Sequence, residues 1–213
     1  FNAYFLTDTP TLNKKTQQTY LAIRGSDGEI KFPDTSNWDD WLGNNYIFAM
    51  GARHVPQAKV ATPAISAVLS KIRSSGSRAP LNLTGHSLGT FVTVQGVAGL
   101  KNDEIDQIGK LVLFNGPDPT ASLKKMGLSD AKIAKLSSKT TYYINPFDMV
   151  SCLNRTKPLD QQFGTVKVIV PLHYSTSFDS PNAHMFGVYQ INANGEPLVA
   201  SANFHPELLT ASQ

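Results

Sequence analysis

Ser87 stands at the centre of Gly85-His86-Ser87-Leu88-Gly89, a G-x-S-x-G pattern in which the serine could act as a nucleophile. A hydroxyl is a weak nucleophile at its own pKa. It needs a base within hydrogen-bond reach, and the base needs an acid behind it. The chain holds five histidines. His86 lies inside the pattern, pointing the wrong way along the turn, and suits a role in packing or bonding neighbouring loops. His54 sits near a helix start and His205 lies in the tail, so both read as structural or exposed. His173, in Pro171-Leu172-His173-Tyr174, and His184, in Asn182-Ala183-His184-Met185, remain. The nucleophile–acid–base chain order that goes with this motif favours His184, with His173 as the alternative.

For the acid, Asp148 follows the strand-like Tyr142-Tyr143-Ile144 and the turn Asn145-Pro146-Phe147. A carboxylate at the C-terminal end of a strand can hold an imidazole from the next loop. Asp118, in Asn115-Gly116-Pro117-Asp118-Pro119, also ends a strand, but it comes directly after the nucleophile's own unit, and a capping or turn role suits it better. Acyl chemistry further requires donors for an oxyanion. The backbone N–H of Leu88 is the obvious first. Ser26, in the loop Arg24-Gly25-Ser26, can offer an N–H and a hydroxyl as the second.

The elements that would carry these groups can be read from the chain. Residues 3–6 and 19–23 are short β-branched and aromatic runs separated by a polar, turn-rich stretch, as in a hairpin or neighbouring strands. Residues 25–45 are irregular and carry Trp38 and Trp41. Residues 55–73 read as a helix, with Val60, Ala64, Val68 and Ile72 recurring every four positions and Ser74-Ser75-Gly76 ending it. A buried strand over 81–84 and a helix over 88–100, rich in small residues, bracket Ser87, which is the strand–turn–helix setting a nucleophile elbow requires. Strands follow at 111–114, 140–144 and 166–170, with one or two polar helices over 122–136. A hairpin pairs 188–191 with 198–200 across Asn194-Gly195. Strands alternating with helices predict an α/β fold: a mostly parallel central sheet with helices on both faces and an antiparallel hairpin near the C-terminus.

Bulk properties narrow the class. A chain of 213 residues with 41% hydrophobic content can bury one substantial core, and the whole of 1–213 reads as a single domain. With 16% charged residues and a net charge of +3, nothing suggests a nucleic-acid arm; the lysines between 124 and 139 read as a solvated helix face. The single cysteine, Cys152, excludes an internal disulfide and a cysteine zinc site. This suits a cytosolic protein or an exported one built without disulfides, of which the extracellular location is favoured. No run of 18 apolar residues spans a membrane. The N-terminus lacks a methionine and a signal pattern, so a processed protein or a segment of a longer chain is expected.

Several stretches together resemble the class 3 lipase family of α/β-hydrolases, in a style closer to its bacterial members. They are Ala22-Ile23-Arg24-Gly25-Ser26 with Asn37-Trp38-Asp39-Asp40-Trp41-Leu42, then Gly85-His86-Ser87-Leu88-Gly89, Tyr143-Ile144-Asn145-Pro146-Phe147-Asp148-Met149-Val150, and Asn182-Ala183-His184-Met185-Phe186-Gly187-Val188-Tyr189. The resemblance covers most of the chain from about residue 20 to 192. It implies an α/β-hydrolase fold, a triad of Ser87, Asp148 and His184, an oxyanion hole of Ser26 and Leu88, and no metal or organic cofactor. It also implies a lid over 27–45 with Trp38 and Trp41 as lipid-contacting residues, although both tryptophans also suit a core. The chain lacks the family's early helix and disulfides, and Phe91 replaces a small residue after the elbow. The expected activity is hydrolysis of lipid esters, triacylglycerol lipase-like, with transient contact to a lipid interface. Phospholipase A1, small-ester esterase or acyltransferase activity is the alternative on the same machinery. A non-catalytic binding module is the rival from another class.

Overall fold

The computed structural model describes residues 1–24, 55–175 and 180–211. The regular elements are strands β1 (Ala3–Thr7), β2 (Thr19–Ile23), β3 (Leu81–His86), β4 (Ile108–Phe114), β5 (Thr140–Ile144) and β6 (Thr165–Val168). The helices are α1 (Pro56–Ser74), α2 (Leu88–Ala98), α3 (Asn102–Ile105), α4 (Thr120–Lys125), α5 (Asp130–Ser138), α6 (Met149–Cys152), α7 (Ser180–Ala183) and α8 (Glu207–Ala211). The six strands form one sheet in the order β1-β2-β3-β4-β5-β6. Only β1 runs antiparallel to its neighbour, joined to β2 by a turn-rich connection; β2 through β6 are parallel. This is the mostly parallel α/β arrangement expected for an α/β-hydrolase.

The side-chain period of two divides the sheet cleanly. Leu21, Ile23, Leu81, Leu83, Leu111 and Leu113 are buried on the face against the crossover helices. Their sequence neighbours Tyr20, Asn82 and Lys110 face the other way and are exposed or half-buried. At the C-terminal rim of that second face, the turn of 3-10 helix Phe186–Val188 lays Phe186 against Phe114, with ring centroids 5.2 Å apart.

Helix α2 is buried all round, from Gly89 to Ala98, which is why its sequence has no polar face. It lies between the sheet and α1. The small residues at that contact let the helices approach closely: a Cβ on Gly96 would sit 2.9 Å from that of Ala61. In α1 the buried stripe is Ala58, Ala61, Ile65, Leu69 and Ile72, while Val60 is exposed. Steps of four residues drift by about 40° each around a helix of 3.6 residues per turn, so the run 60, 64, 68, 72 marks the helix but not its inner face. The stripe that mixes steps of three and four does so.

Some boundaries differ from those read off the sequence. β4 begins at Ile108, because Gly109 and Lys110, poor strand formers, are held by the sheet; Asn82 Oδ1 accepts from Lys110 N at 3.0 Å. Regular β6 ends at Val168, and 169–171 continue as single antiparallel bridges, Ile169 to Val199 and Pro171 to Tyr189. The C-terminal hairpin is likewise a set of bridges: Ile191 pairs Pro197, Leu198 N donates to Gln190 O at 2.8 Å, and Gly195 turns the chain at φ +78°.

Candidate active site

Parallel register brings the ends of three strands to one level. His86 pairs Phe114, and Phe114 pairs Tyr143. The residues just beyond those ends, Ser87, Asn115 and the segment 145–148, therefore meet outside the carboxyl edge of the sheet, where open α/β sheets place their ligands.

Ser87 sits on the turn between β3 and α2 with φ 57° and ψ −125°, a left-handed conformation that costs a non-glycine residue about 1–3 kcal/mol. Neighbours hold it there. Ser87 N donates to Phe114 O at 3.1 Å, and Ser87 O accepts from Thr90 N at 3.0 Å and from Thr90 Oγ1 at 2.7 Å. The turn is tight enough that a Cβ on Gly85 would lie 2.5 Å from Gly89 O. Leu88 opens α2, so its N–H lies at the positive end of that helix, where negative charge is favoured.

Asp148 is fully buried and caps α6. Its Oδ1 accepts from Val150 N at 3.1 Å. Its Oδ2 accepts from Ser151 N at 3.1 Å, from the Ser151 hydroxyl, and from His184 Nδ1 at 2.9 Å. A carboxylate only accepts, so the Nδ1 of His184 carries the hydrogen, and its Nε2 presents a lone pair to the Ser87 hydroxyl 2.7 Å away. His184 is 4% exposed and comes from the loop after α7.

The other candidates are accounted for differently. Asp118 accepts from Thr120 N at 2.8 Å, from Thr120 Oγ1 at 2.6 Å and from Phe163 N at 3.1 Å, which ties the turn before α4 to the segment before β6. His173 is exposed in the loop after β6, and the partner of the Ser87 hydroxyl is His184. His205 bonds Glu207 and Tyr174 in the C-terminal segment. His86 does bond a neighbouring loop: its Nε2–H donates to His184 O at 2.7 Å, and its ring lies 4.9 Å from that of His184 and 4.6 Å from Phe186. Burial, and next the adjacent His184, lower its pKa to about 4. Burial pushes the Cys152 thiol up to about 11, so it carries little thiolate to compete as a nucleophile. Ser26, Trp38, Trp41, His54 and the segment 27–45 lie outside the described residues.

Three residues of this assembly were not singled out in the sequence. Asn115, read there only as part of a strand-stopping turn, is fully buried with φ +49° and bonds both the histidine loop and the acid loop. Ser151 and Tyr189 bond Asp148 and Asn115. The one local signal was an asparagine before glycine at a strand end, since asparagine tolerates left-handed backbone better than most residues. Among the described residues, no group of three or more His, Cys, Asp or Glu could hold a metal ion, and no helix is long and apolar enough to cross a membrane.

A scan against protein-family models and a search of curated proteins both find nothing that matches this chain. Among solved structures, the chain is similar to Rhizomucor miehei triacylglyceride lipase, with 16% identity over 71% of this chain and a TM-score of 0.39. It spans 57% of the length of that lipase. A likeness of that size carries no chemistry across.

Proposed function

We propose that the protein is a serine hydrolase of carboxylic esters, acting on lipid esters through Ser87, His184 and Asp148. The observation that carries this reading is the continuous hydrogen-bonded series from Asp148 Oδ2 through His184 to Ser87 Oγ, at 2.9 and 2.7 Å. As Ser87 Oγ attacks the ester carbonyl, His184 Nε2 takes its proton, and the buried Asp148 carboxylate stabilises the imidazolium that forms. The tetrahedral oxyanion accepts from the N–H of Leu88 and from Ser26. Collapse expels the alcohol, protonated by His184. Water then gives up a proton to the same nitrogen and releases the acid from the acyl-enzyme.

Lipid esters are favoured over polar ones by the residues beside the acid and the base. Met149 follows Asp148, and Met185 and Phe186 follow His184; they are 46%, 47% and 50% exposed. Apolar side chains on both loops suit an acyl chain better than a charged substrate. Trp38 and Trp41 are proposed to add to that surface.

Ser87→Ala is expected to lower hydrolysis of p-nitrophenyl butyrate by about 10³-fold or more while the protein stays folded. A labelled fluorophosphonate is expected to attach at Ser87. Retained turnover in the variant, or attachment at another serine, removes the reading. Rates on tributyrin, triolein and phosphatidylcholine then divide triacylglycerol, phospholipid and short-ester activity.

A further inference from the structure

The main-chain carbonyl of His184 is gripped by two side chains from elsewhere in the fold. Asn115 Nδ2 donates to it at 3.0 Å, and His86 Nε2 donates at 2.7 Å. The same Asn115 Nδ2 lies 3.5 Å from Ala183 O. Its Oδ1 accepts from Asn145 N at 3.0 Å and from Tyr189 OH at 2.8 Å, with Ser151 Oγ 3.2 Å away. Asn115 N donates to Tyr143 O at 2.9 Å, which carries the β4–β5 pairing one residue past the regular ladder. A single amide thus touches the histidine loop with its donor end and the acid loop with its acceptor end. Tyr189 completes the connection, since its hydroxyl also lies 3.3 Å from Tyr143 O.

We infer that Asn115 is a positioning residue: it locks the histidine loop to the acid loop, so that the His184 ring stays in register between Asp148 and Ser87. This rests on the serine-hydrolase reading for its kinetic consequence but not for its geometry. The side chain has the length and both functions the post requires. Aspartate keeps the acceptor bonds and loses the donor to His184 O. Glycine adopts φ +49° without strain and loses both ends. The His184–Asp148 bond itself and the Tyr189 hydroxyl, 3.3 Å from Tyr143 O, also join the two loops here. Removing the amide takes away one of the two donors on the His184 carbonyl and leaves His86 as the other, which loosens the imidazole, and a shift of about 1 Å in a reacting group costs on the order of 10²-fold in rate.

The test uses Asn115→Asp, Asn115→Gly and Tyr189→Phe. Each is assayed for kcat and KM on p-nitrophenyl butyrate, for thermal midpoint, and for the far-downfield proton resonance of the His184–Asp148 hydrogen bond. Asn115→Asp and Asn115→Gly are expected to fold and to lower kcat by about 10–100-fold with KM within about 2-fold, and to broaden or lose that resonance. Tyr189→Phe, which removes a single hydroxyl from the post, is expected to lower kcat by about 2–5-fold. A folded Asn115→Asp with wild-type kcat and an unchanged resonance overturns the inference. Should neither Asn115 variant fold, Tyr189→Phe decides: unaltered kcat and resonance overturn the inference. Should the wild type fail to label with fluorophosphonate at Ser87, the hydrolase reading has failed instead. The resonance alone then decides the positioning role, its loss in Asn115→Asp supporting that role and its persistence overturning it.

Discussion

At the scale of single residues, His86 shows how a side chain beside a reactive centre acquires a duty of its own. Its Nε2–H bond to His184 O requires the hydrogen on that nitrogen, which the neutral and the protonated ring can both supply. Burial and the adjacent imidazole enforce the neutral form, lowering the pKa from 6.5 to about 4. The unfolded chain therefore binds this proton more tightly than the folded one. Stability from this group is fully present above the unfolded pKa of 6.5 and is lost as pH falls towards about 4. The difference amounts to at most about 3 kcal/mol, less whatever solvent screening removes from a partly exposed ring. Urea unfolding of the wild type at pH 7 and pH 4.5 is expected to show a steeper acid loss than the same measurement on His86→Gln. Equal losses in the two proteins are the contrary result.

At the scale of elements, the acid segment depends on a buried cation. Arg155 is 5% exposed. Its Nε donates to Ser151 O at 2.7 Å, one guanidinium nitrogen donates to Gly116 O at 2.7 Å, and the other donates to Gln162 Oε1 at 2.9 Å. The group also lies 4.8 Å over the Tyr142 ring. It thus ties α6, whose N-cap is Asp148, to the strand end that carries Asn115. Burial pulls the Arg155 pKa down, and the charges of neighbouring groups, Asp118 among them, partly offset this. Arg155→Met matches its bulk but strands two main-chain carbonyls without a donor. It is expected to destabilise the fold by about 3 kcal/mol and to lower esterase activity by loosening Asp148. Chemical denaturation and the p-nitrophenyl assay measure both, and a variant with an unmoved midpoint speaks against the brace.

At the scale of the whole molecule, one hydrophobic core under the sheet holds the rim in place. It runs from Leu21 and Ile23 through Leu81, Leu83, Leu111 and Leu113 to Tyr142 and Ile144, and α2 is packed within it. Leu113 sits midway along that row, fully buried, one residue before the strand end that positions Asn115. Leu113→Ala is expected to lower the unfolding free energy by about 2–5 kcal/mol in a single cooperative transition. A cost under about 1 kcal/mol is the result that counts against a shared, tightly packed core.

Short-range chemistry was legible in the chain before any fold was known. β2 and β5 coincide with the runs read from the residues, and Ser87 falls between a strand and a helix as the G-x-S-x-G spacing requires. Alternating apolar positions and steric needs at glycines act over a few residues, so a few residues reveal them. The inner face of α1, the start of β4 and the bonding of Asn115 were not legible. Each depends on what lies opposite, and the partners of Asn115 come from residues up to 189, far along the chain. Nothing local distinguishes an asparagine that merely turns a strand from one that ties two loops. Chain order points to His184 as the histidine that meets the serine; its 2.7 Å approach to Ser87 across 97 residues comes from the register of parallel strands and from two loops folding onto one edge. A sequence can name the groups able to pass a proton. Only packing over the whole sheet sets the ångströms between them.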